Sequence, residues 1–73
     1  MDSPSDMIDA LTRTERYILQ CLMSSMTEYR IAKHIQRSPH TVHTHVKNIY
    51  RKLDIHSRRE IRDVFGTALE KDN

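Results

Sequence analysis

The residues best able to do chemistry in this chain are cations and histidines crowded into its second half. Between residues 37 and 59 there is one acid, Asp54, against six Lys or Arg and four His. They are Arg37, Lys47, Arg51, Lys52, Arg58 and Arg59, with His40, His43, His45 and His56. A basic segment of this density favours a polyanionic partner. Charge density alone is equally typical of a solvated helix face, so both interpretations stay open at this point.

The charge is unevenly distributed along the chain. In total there are 12 Lys and Arg against 10 Asp and Glu, a net charge of +2. Three of the acids, Asp2, Asp6 and Asp9, fall within the first ten residues, which contain no base. The other 63 residues therefore hold 12 bases against 7 acids, a net charge of +5, and the folded part should be basic.

Three of the histidines, His40, His43 and His45, resemble a metal-binding cluster. On a helix, however, His43 and His45 project about 200° apart and cannot converge on one ion. We therefore expect no metal site and no cofactor. The chain shows no pairing of a nucleophile with a base, and 73 residues leave little room for a closed pocket, so the sequence does not indicate an enzyme.

Length and composition indicate one small all-α domain. With 73 residues, 37% of them hydrophobic and no Trp, the core will be thin, which favours an oligomer. One Gly and two Pro leave little material for the turns of an all-β fold. The lone Cys21 cannot form an internal disulfide and is expected to fill the core. No apolar run approaches the roughly 20 residues of a membrane span, so we expect a cytoplasmic protein without a membrane partner.

Helix-start signals divide the chain into an arm and four helices. Residues 1–10 lack periodicity and are expected to form a flexible arm that contributes little to the fold. Thr12, with Glu15 three residues later, is a capping box for a first helix that ends at about residue 24. Thr27 caps a short second helix that ends at about residue 35.

Two further helices follow a break at residues 36–38. Ser38 and Pro39 begin the third helix, because a hydroxyl suits the cap position and proline suits the first turn. Ser57 caps the fourth helix, which reaches about residue 69. Within the fourth helix we expect Ile61 and Phe65 to pack inward and Val64 and Ala68 to face a partner.

The third helix has two opposite faces. Since each residue turns a helix by about 100°, its apolar residues lie in one stripe about 40° or less from Val42. These residues are Val42, Val46, Ile49 and Leu53. The opposite face holds only hydrogen-bonding side chains, namely His40, His43, Thr44, Lys47, Asn48 and Arg51. A helix of this kind fits the DNA major groove, and the short helix before it gives helix-turn-helix lengths.

A longer pattern extends over most of the chain. It reads Leu11-Thr12-x2-Glu15-Arg16-x-Ile18-Leu19, then Ile31-Ala32-x2-Ile35-x2-Ser38-x2-Thr41-Val42-x2-His45-x2-Asn48-Ile49-x2-Lys52-Leu53, then Ser57-Arg58-x-Glu60-Ile61. This pattern resembles the DNA-binding domain of the LuxR/GerE family of bacterial transcription regulators. The fixed spacing from Ser38 to Leu53 is far more specific than that of a generic helix-turn-helix.

The resemblance implies a four-helix LuxR-type domain over residues 11–73 that regulates transcription. It would bind inverted-repeat operator DNA as a homodimer, with the third helix in the major groove and the fourth at the dimer contact. RNA polymerase is a further candidate partner. The family's base contacts map onto His40, His43, Thr44 and Lys47. Its phosphate contacts map onto Thr27, Ser38, Thr41, Asn48, Arg51 and Lys52.

The chain departs from the family pattern at several positions. Ser25 stands where the family usually has Gly, Tyr17 and Arg30 replace a common Glu, and Arg37 takes a usually apolar turn position. His43 and Thr44 occupy variable positions, so the resemblance does not specify the operator, the regulon or the sign of regulation.

Two alternatives remain open. One is a protein-interaction module on the same scaffold that modulates another regulator; weak dependence of binding on salt would distinguish it from a DNA-binding domain. The other concerns the length of the protein, since family members usually carry a sensing or phospho-acceptor domain ahead of this one. Met1 favours a stand-alone regulator over the C-terminal piece of a longer chain.

Overall fold

Five helices follow one another in the computed structural model, which describes residues 4–70 and the side chains of residues 6–66. They are α1 (Pro4–Asp9), α2 (Arg13–Met23), α3 (Glu28–Ile35), α4 (Pro39–Leu53) and α5 (Arg58–Glu70). The predicted all-α fold is confirmed, and the four predicted helices correspond to α2 to α5. No helix within residues 4–70 is long and apolar enough to cross a membrane.

The helix starts predicted from hydroxyl residues are confirmed at three of four positions. Thr12, Thr27 and Ser38 each accept a backbone N–H from three residues later, at 3.1 Å. Such bonds satisfy N–H groups that have no partner inside the helix. At the start of α5 the predicted side-chain cap by Ser57 is not made within the described residues. Instead the carboxylate of Glu60 accepts the backbone N–H of His56 at 2.7 Å.

The expectation that residues 1–10 contribute little to the fold is wrong for α1. Pro4 and Asp6 suit the first turn of a helix, where proline loses no hydrogen bond and an acid meets the helix dipole. Ile8 is 5% exposed and belongs to the core, with Met7 packed against it. Burial of these apolar side chains against α4 and α5 stabilises the short helix.

Helices α2, α3 and α4 end in the same backbone motif. Ser25, Gln36 and Asp54 all have φ between 55° and 65°, in the left-handed region. The residue after each one donates its N–H to a carbonyl five residues back, at 3.0 to 3.2 Å. This closing bond is typical of the Schellman motif, in which glycine is the usual left-handed residue. The only glycine of the chain, Gly66, lies within α5 instead.

The core is built around α4. Helices α3, α2 and α1 all pack on α4, and α5 packs on α1 and α2. Each of the four apolar residues predicted to face inward from α4 is at most 4% exposed. Cys21 is buried, as predicted, and burial raises the pKa of its thiol. Ile61 and Phe65 of α5 are also buried, as predicted.

Candidate nucleic-acid interface

Helix α4 is held by its buried stripe so that its opposite face meets solvent. His40, His43, Thr44 and Lys47, which were predicted to contact bases, are all exposed. They share a face because they lie between about 100° and 200° from Val42 around the helix. The structure therefore brings the four residues together on one surface, which we call the α4 outer face.

A buried carboxylate fixes the C-terminal part of α4 against α2. The Oε1 atom of Glu15 accepts the Lys52 ammonium at 2.8 Å and the Thr12 backbone N–H at 2.9 Å. Burial opposes ionisation of this carboxyl, but the bonds from Lys52 and Thr12 outweigh it and hold the pKa of Glu15 below its ordinary value of 4.5. The capping box of α2 is thereby joined to α4, which sets the position of the outer face.

A second cross-link joins α5 to the end of α2. The guanidinium of Arg58 donates from Nε to the carbonyl of Leu22 at 3.1 Å and from Nη2 to the carbonyl of Met26. Arg62 donates to the carbonyl of Met23 at 2.9 Å. Carbonyls at the end of a helix lack helical partners, and a cation there also meets the negative end of the helix dipole.

The dense basic segment therefore divides into two groups. Lys52 and Arg58 are committed to contacts inside the domain. The other four cations are exposed and form no ion pair with any described residue; they are Arg37, Lys47, Arg51 and Arg59. Part of the charge that suggested a polyanion partner thus stabilises the fold.

The hydroxyl of Thr44 is already used within α4. Its Oγ1 donates to the backbone carbonyl of His40 at 3.2 Å. With its proton engaged, Thr44 offers to a partner an oxygen lone pair and a methyl group. Lys47, in contrast, has no hydrogen-bond partner among the described residues and keeps all three ammonium protons for a partner.

His43 is held by a residue of the preceding helix. Its Nδ1 atom lies 3.1 Å from Oε1 of Glu28, in the first turn of α3. The side chains are 56% and 38% exposed, respectively, so the contact lies at the edge of the α4 outer face. No local sequence signal indicates this contact, because the two residues are 15 positions apart on different helices.

Some of the residues predicted to contact phosphate already use their hydroxyl groups in hydrogen bonds within the domain. Thr27 and Ser38 each cap a helix as acceptors, at the N-termini of α3 and α4. Helix N-termini favour anions because their N–H groups and dipole point outward. The hydroxyls of Ser38 and Thr41 lie 3.0 Å apart, so one of their two protons is used between them.

Further along α4, three more residues were predicted to contact phosphate. Asn48 is half-buried, and Arg51 is exposed without a charged partner among the described residues. Lys52 is engaged by Glu15, although its side chain remains 40% exposed. The geometry thus leaves Arg51 freer than Lys52 to meet a phosphate.

His45 lies beside the buried stripe of α4 and is half-buried. It lines a cleft of about 410 Å³ together with Arg13, Tyr17, Ile35 and Arg37. Within the described residues it makes no hydrogen bond. The cleft contains two of the departures from the family pattern, Tyr17 and Arg37, and it has no acidic residue in its lining.

Comparison with known proteins agrees with this geometry. The family model of bacterial regulatory proteins of the luxR family, GerE, matches residues 9–65. The chain belongs to the luxR family. Residues 9–65 are therefore a DNA-binding helix-turn-helix domain of this family. No solved structure matches this luxR-family chain.

Two relatives of this luxR-family chain are larger regulators. The uncharacterized response regulatory protein YgeK of Escherichia coli strain K12 is 45% identical over 51 residues, which are 70% of this chain and 35% of that protein. A nitrate/nitrite response regulator protein homolog of Haemophilus influenzae is 35% identical over 51 residues, 70% of this chain and 24% of that protein. The chain thus spans about a third or less of the length of these relatives.

One departure of this luxR-family chain has a clear backbone consequence. Ser25, where the family usually has Gly, adopts φ 65° in the turn between α2 and α3. The turn still closes, because the N–H of Met26 bonds to the carbonyl of Cys21 at 3.2 Å. A residue with a side chain adopts this left-handed conformation at a cost of about 1 to 2 kcal/mol, which glycine avoids because it has no Cβ.

The predicted dimer residues of this luxR-family chain lie on α5. Val64 is 49% exposed, whereas its neighbour Phe65 is buried. Ala68 lies outside the residues whose side chains the structure describes. Gly66 faces the domain's own interior, where Met23 and Arg62 are its nearest neighbours.

Proposed function

We propose that this luxR-family chain is a sequence-specific regulator of transcription that inserts α4 into the DNA major groove. The observation that carries the proposal is the two-faced character of α4. One face is fully buried, so the helix is rigidly seated, and the other presents four exposed polar side chains at groove-compatible spacing. The family match over residues 9–65 supports the same surface.

The proposed binding unit is a homodimer on an inverted-repeat operator. Val64 supports it, because a half-exposed valine beside a fully buried Phe65 extends the apolar surface of α5 beyond what its own core uses. Two-fold symmetry through α5 would separate the two α4 helices by about one DNA turn, roughly 34 Å.

Selection from randomised double-stranded DNA tests the first part of the proposal. The expected result is one enriched site with two inverted half-sites. Lys47→Ala should then weaken binding to that site by about 1 to 3 kcal/mol, since Lys47 is free and central on the outer face. Lys33→Ala removes the same charge from α3, where Lys33 lies over the ring of Tyr29, and should cost less. Equal losses for the two variants would remove Lys47 from the interface.

Thr41→Val tests the phosphate contacts. The substitution keeps the shape and removes the hydroxyl, so affinity should fall by a similar factor for every DNA sequence. A change in base preference would mean that Thr41 reads sequence. Binding should also weaken steeply with salt, by about 0.9 log units per log unit of salt for each neutralised phosphate. Salt-independent binding would contradict a DNA partner.

Val64→Asp tests the dimer. A charge at a half-exposed position should leave the monomer folded, while opposing a symmetric apolar contact. We expect a shift toward monomer in sedimentation and a far larger loss on a two-half-site operator than on a single half-site. Val64→Ala is the matched control, and it should lose less affinity for the two-half-site operator than Val64→Asp. A dimeric Val64→Asp variant with full operator affinity would place the interface elsewhere.

A further inference from the structure

The contact between Glu28 and His43 has consequences for the base that His43 can read. We propose that Glu28 fixes the tautomer of His43, so that His43 accepts a hydrogen bond from the exocyclic amino group of adenine or cytosine. The inference rests on the proposed function, since it requires the α4 outer face to lie in the major groove.

The tautomer follows from hydrogen-bond chemistry. An ionised carboxylate can only accept hydrogen bonds, so the Nδ1 atom of His43, 3.1 Å from Oε1 of Glu28, must carry the proton that joins them. A neutral imidazole has one N–H, and its other nitrogen is then an acceptor. With Nδ1 protonated, Nε2 presents a lone pair. A carboxylate that orients histidine in this way is familiar from metal sites, where it also selects the tautomer.

The major groove distinguishes an acceptor from a donor. Adenine N6 and cytosine N4 are amino donors, whereas guanine N7 and O6 and thymine O4 are acceptors. An unprotonated Nε2 can therefore accept from the amino group of the adenine or cytosine in a base pair, but not from the thymine or guanine opposite it. One neutral hydrogen bond is worth about 0.5 to 1.5 kcal/mol, so the expected discrimination is about two- to tenfold at a single position.

The contact works through orientation, since both side chains are partly exposed and a surface pair of this kind adds little stability. Glu28 is therefore a positioning residue, and its removal should leave the fold intact. The readout must separate a changed base preference from a general loss of affinity.

Selection from randomised DNA at pH 8, where an ordinary imidazole is neutral, provides that readout. The wild-type chain, Glu28→Ala, His43→Ala and the control Asp63→Ala, an exposed acid on α5, are compared position by position. His43→Ala should lose preference at one position of each half-site, which identifies the base pair read by His43. Replacing the adenine or cytosine of that pair by purine or 2-pyrimidinone removes its amino group, which should weaken wild-type binding about two- to tenfold and Glu28→Ala binding less. Glu28→Ala should also change the base preference at that position alone.

Several outcomes would overturn the inference. Undiminished wild-type binding after removal of that amino group would show that Nε2 does not act as an acceptor. An equal loss at all positions in Glu28→Ala would show only a structural role for Glu28. If wild type enriches no sequence at all, the proposed function itself fails.

A second measurement separates the tautomer from DNA binding. Nitrogen-15 spectra of the free protein report which ring nitrogen of His43 carries the proton. We expect a protonated Nδ1 in wild type and in Asp63→Ala, and a mixture of tautomers in Glu28→Ala. A protonated Nε2 and bare Nδ1 in wild type would overturn the tautomer assignment, whatever the DNA selection shows.

Discussion

The bond between Glu15 and Lys52 offers a sharp test of how α4 is positioned. Glu15→Gln preserves the size and one acceptor oxygen of the side chain but removes its charge. In the native domain Glu15 is buried and accepts from the Lys52 ammonium at 2.8 Å and the Thr12 N–H at 2.9 Å. The amide oxygen of glutamine can still accept both bonds, because both end on Oε1, but it carries no charge to pair with the Lys52 ammonium.

The magnitude follows from these contacts. Removing one partner of a buried ion pair typically costs about 3 to 5 kcal/mol. Here Lys52 is 40% exposed and can turn its ammonium to water, so the lower part of the range for a lost charged hydrogen bond, about 2 kcal/mol, is the better value. For a domain of this size that corresponds to a fall in Tm of about 8 to 16 °C.

The pH dependence gives an independent check. Because the folded pKa of Glu15 lies below 4.5, the bond stabilises the domain above that pH and is lost as pH falls through the lowered pKa. The difference in Tm between wild type and Glu15→Gln should therefore be full at pH 7 and shrink below about pH 4.5.

Thermal unfolding followed by circular dichroism at pH 7 and pH 3 measures both effects. The control is Asp63→Asn, which neutralises an exposed acid on α5 and should change stability by less than about 0.5 kcal/mol. A Glu15→Gln variant as stable as this control at pH 7, or a difference that persists undiminished at pH 3, would contradict this role of the Glu15–Lys52 bond.

Four other substitutions have expected outcomes. Ser25→Gly should raise the free energy of unfolding by about 1 kcal/mol in urea titrations, because it relieves a left-handed side chain; a loss would contradict the turn. Gly66→Ala should also stabilise by about 1 kcal/mol, since an added Cβ meets Met23 Cε at an ordinary 3.8 Å; a lowered Tm would show overpacking. Arg51→Met should reduce the salt slope of DNA binding by about 0.9, and Lys52→Met by less, because Lys52 is held by Glu15; equal reductions would contradict this.

Local signals predicted the helices well. A hydroxyl cap acts on an N–H only three residues away, and an apolar stripe is set by the fixed turn of the helix, so both can be read from neighbouring residues. Thr12, Thr27 and Ser38 accordingly cap the helices predicted for them. The short α1 escaped prediction because its stability depends on burying Ile8 against distant helices, and a six-residue helix has little stability of its own.

Side-chain contacts between helices could not be predicted from the sequence. The family resemblance assigned Lys52 to phosphate, and nothing in the neighbouring residues indicates that Glu15, 37 positions earlier, accepts a hydrogen bond from its ammonium. Arg58 was counted in the basic segment, yet it donates to the carbonyls of Leu22, in the last turn of α2, and Met26, between α2 and α3. Long charged side chains reach several ångströms, so their partners are set by how helices pack rather than by local pattern.

The residues that hold α4 in place differ from the residues that form the α4 outer face. Glu15 of α2 accepts a hydrogen bond from Lys52, which flanks the buried stripe of α4. Arg58 of α5 donates to the carbonyl of Leu22 in the last turn of α2. Substitutions there should change stability and affect all DNA sequences alike. The residues on the α4 outer face make few contacts inside the domain, so they can vary without disturbing the fold. Glu28 differs, because it belongs to the supporting helix α3 and yet contacts His43, so we expect a substitution of this scaffold residue to alter base preference.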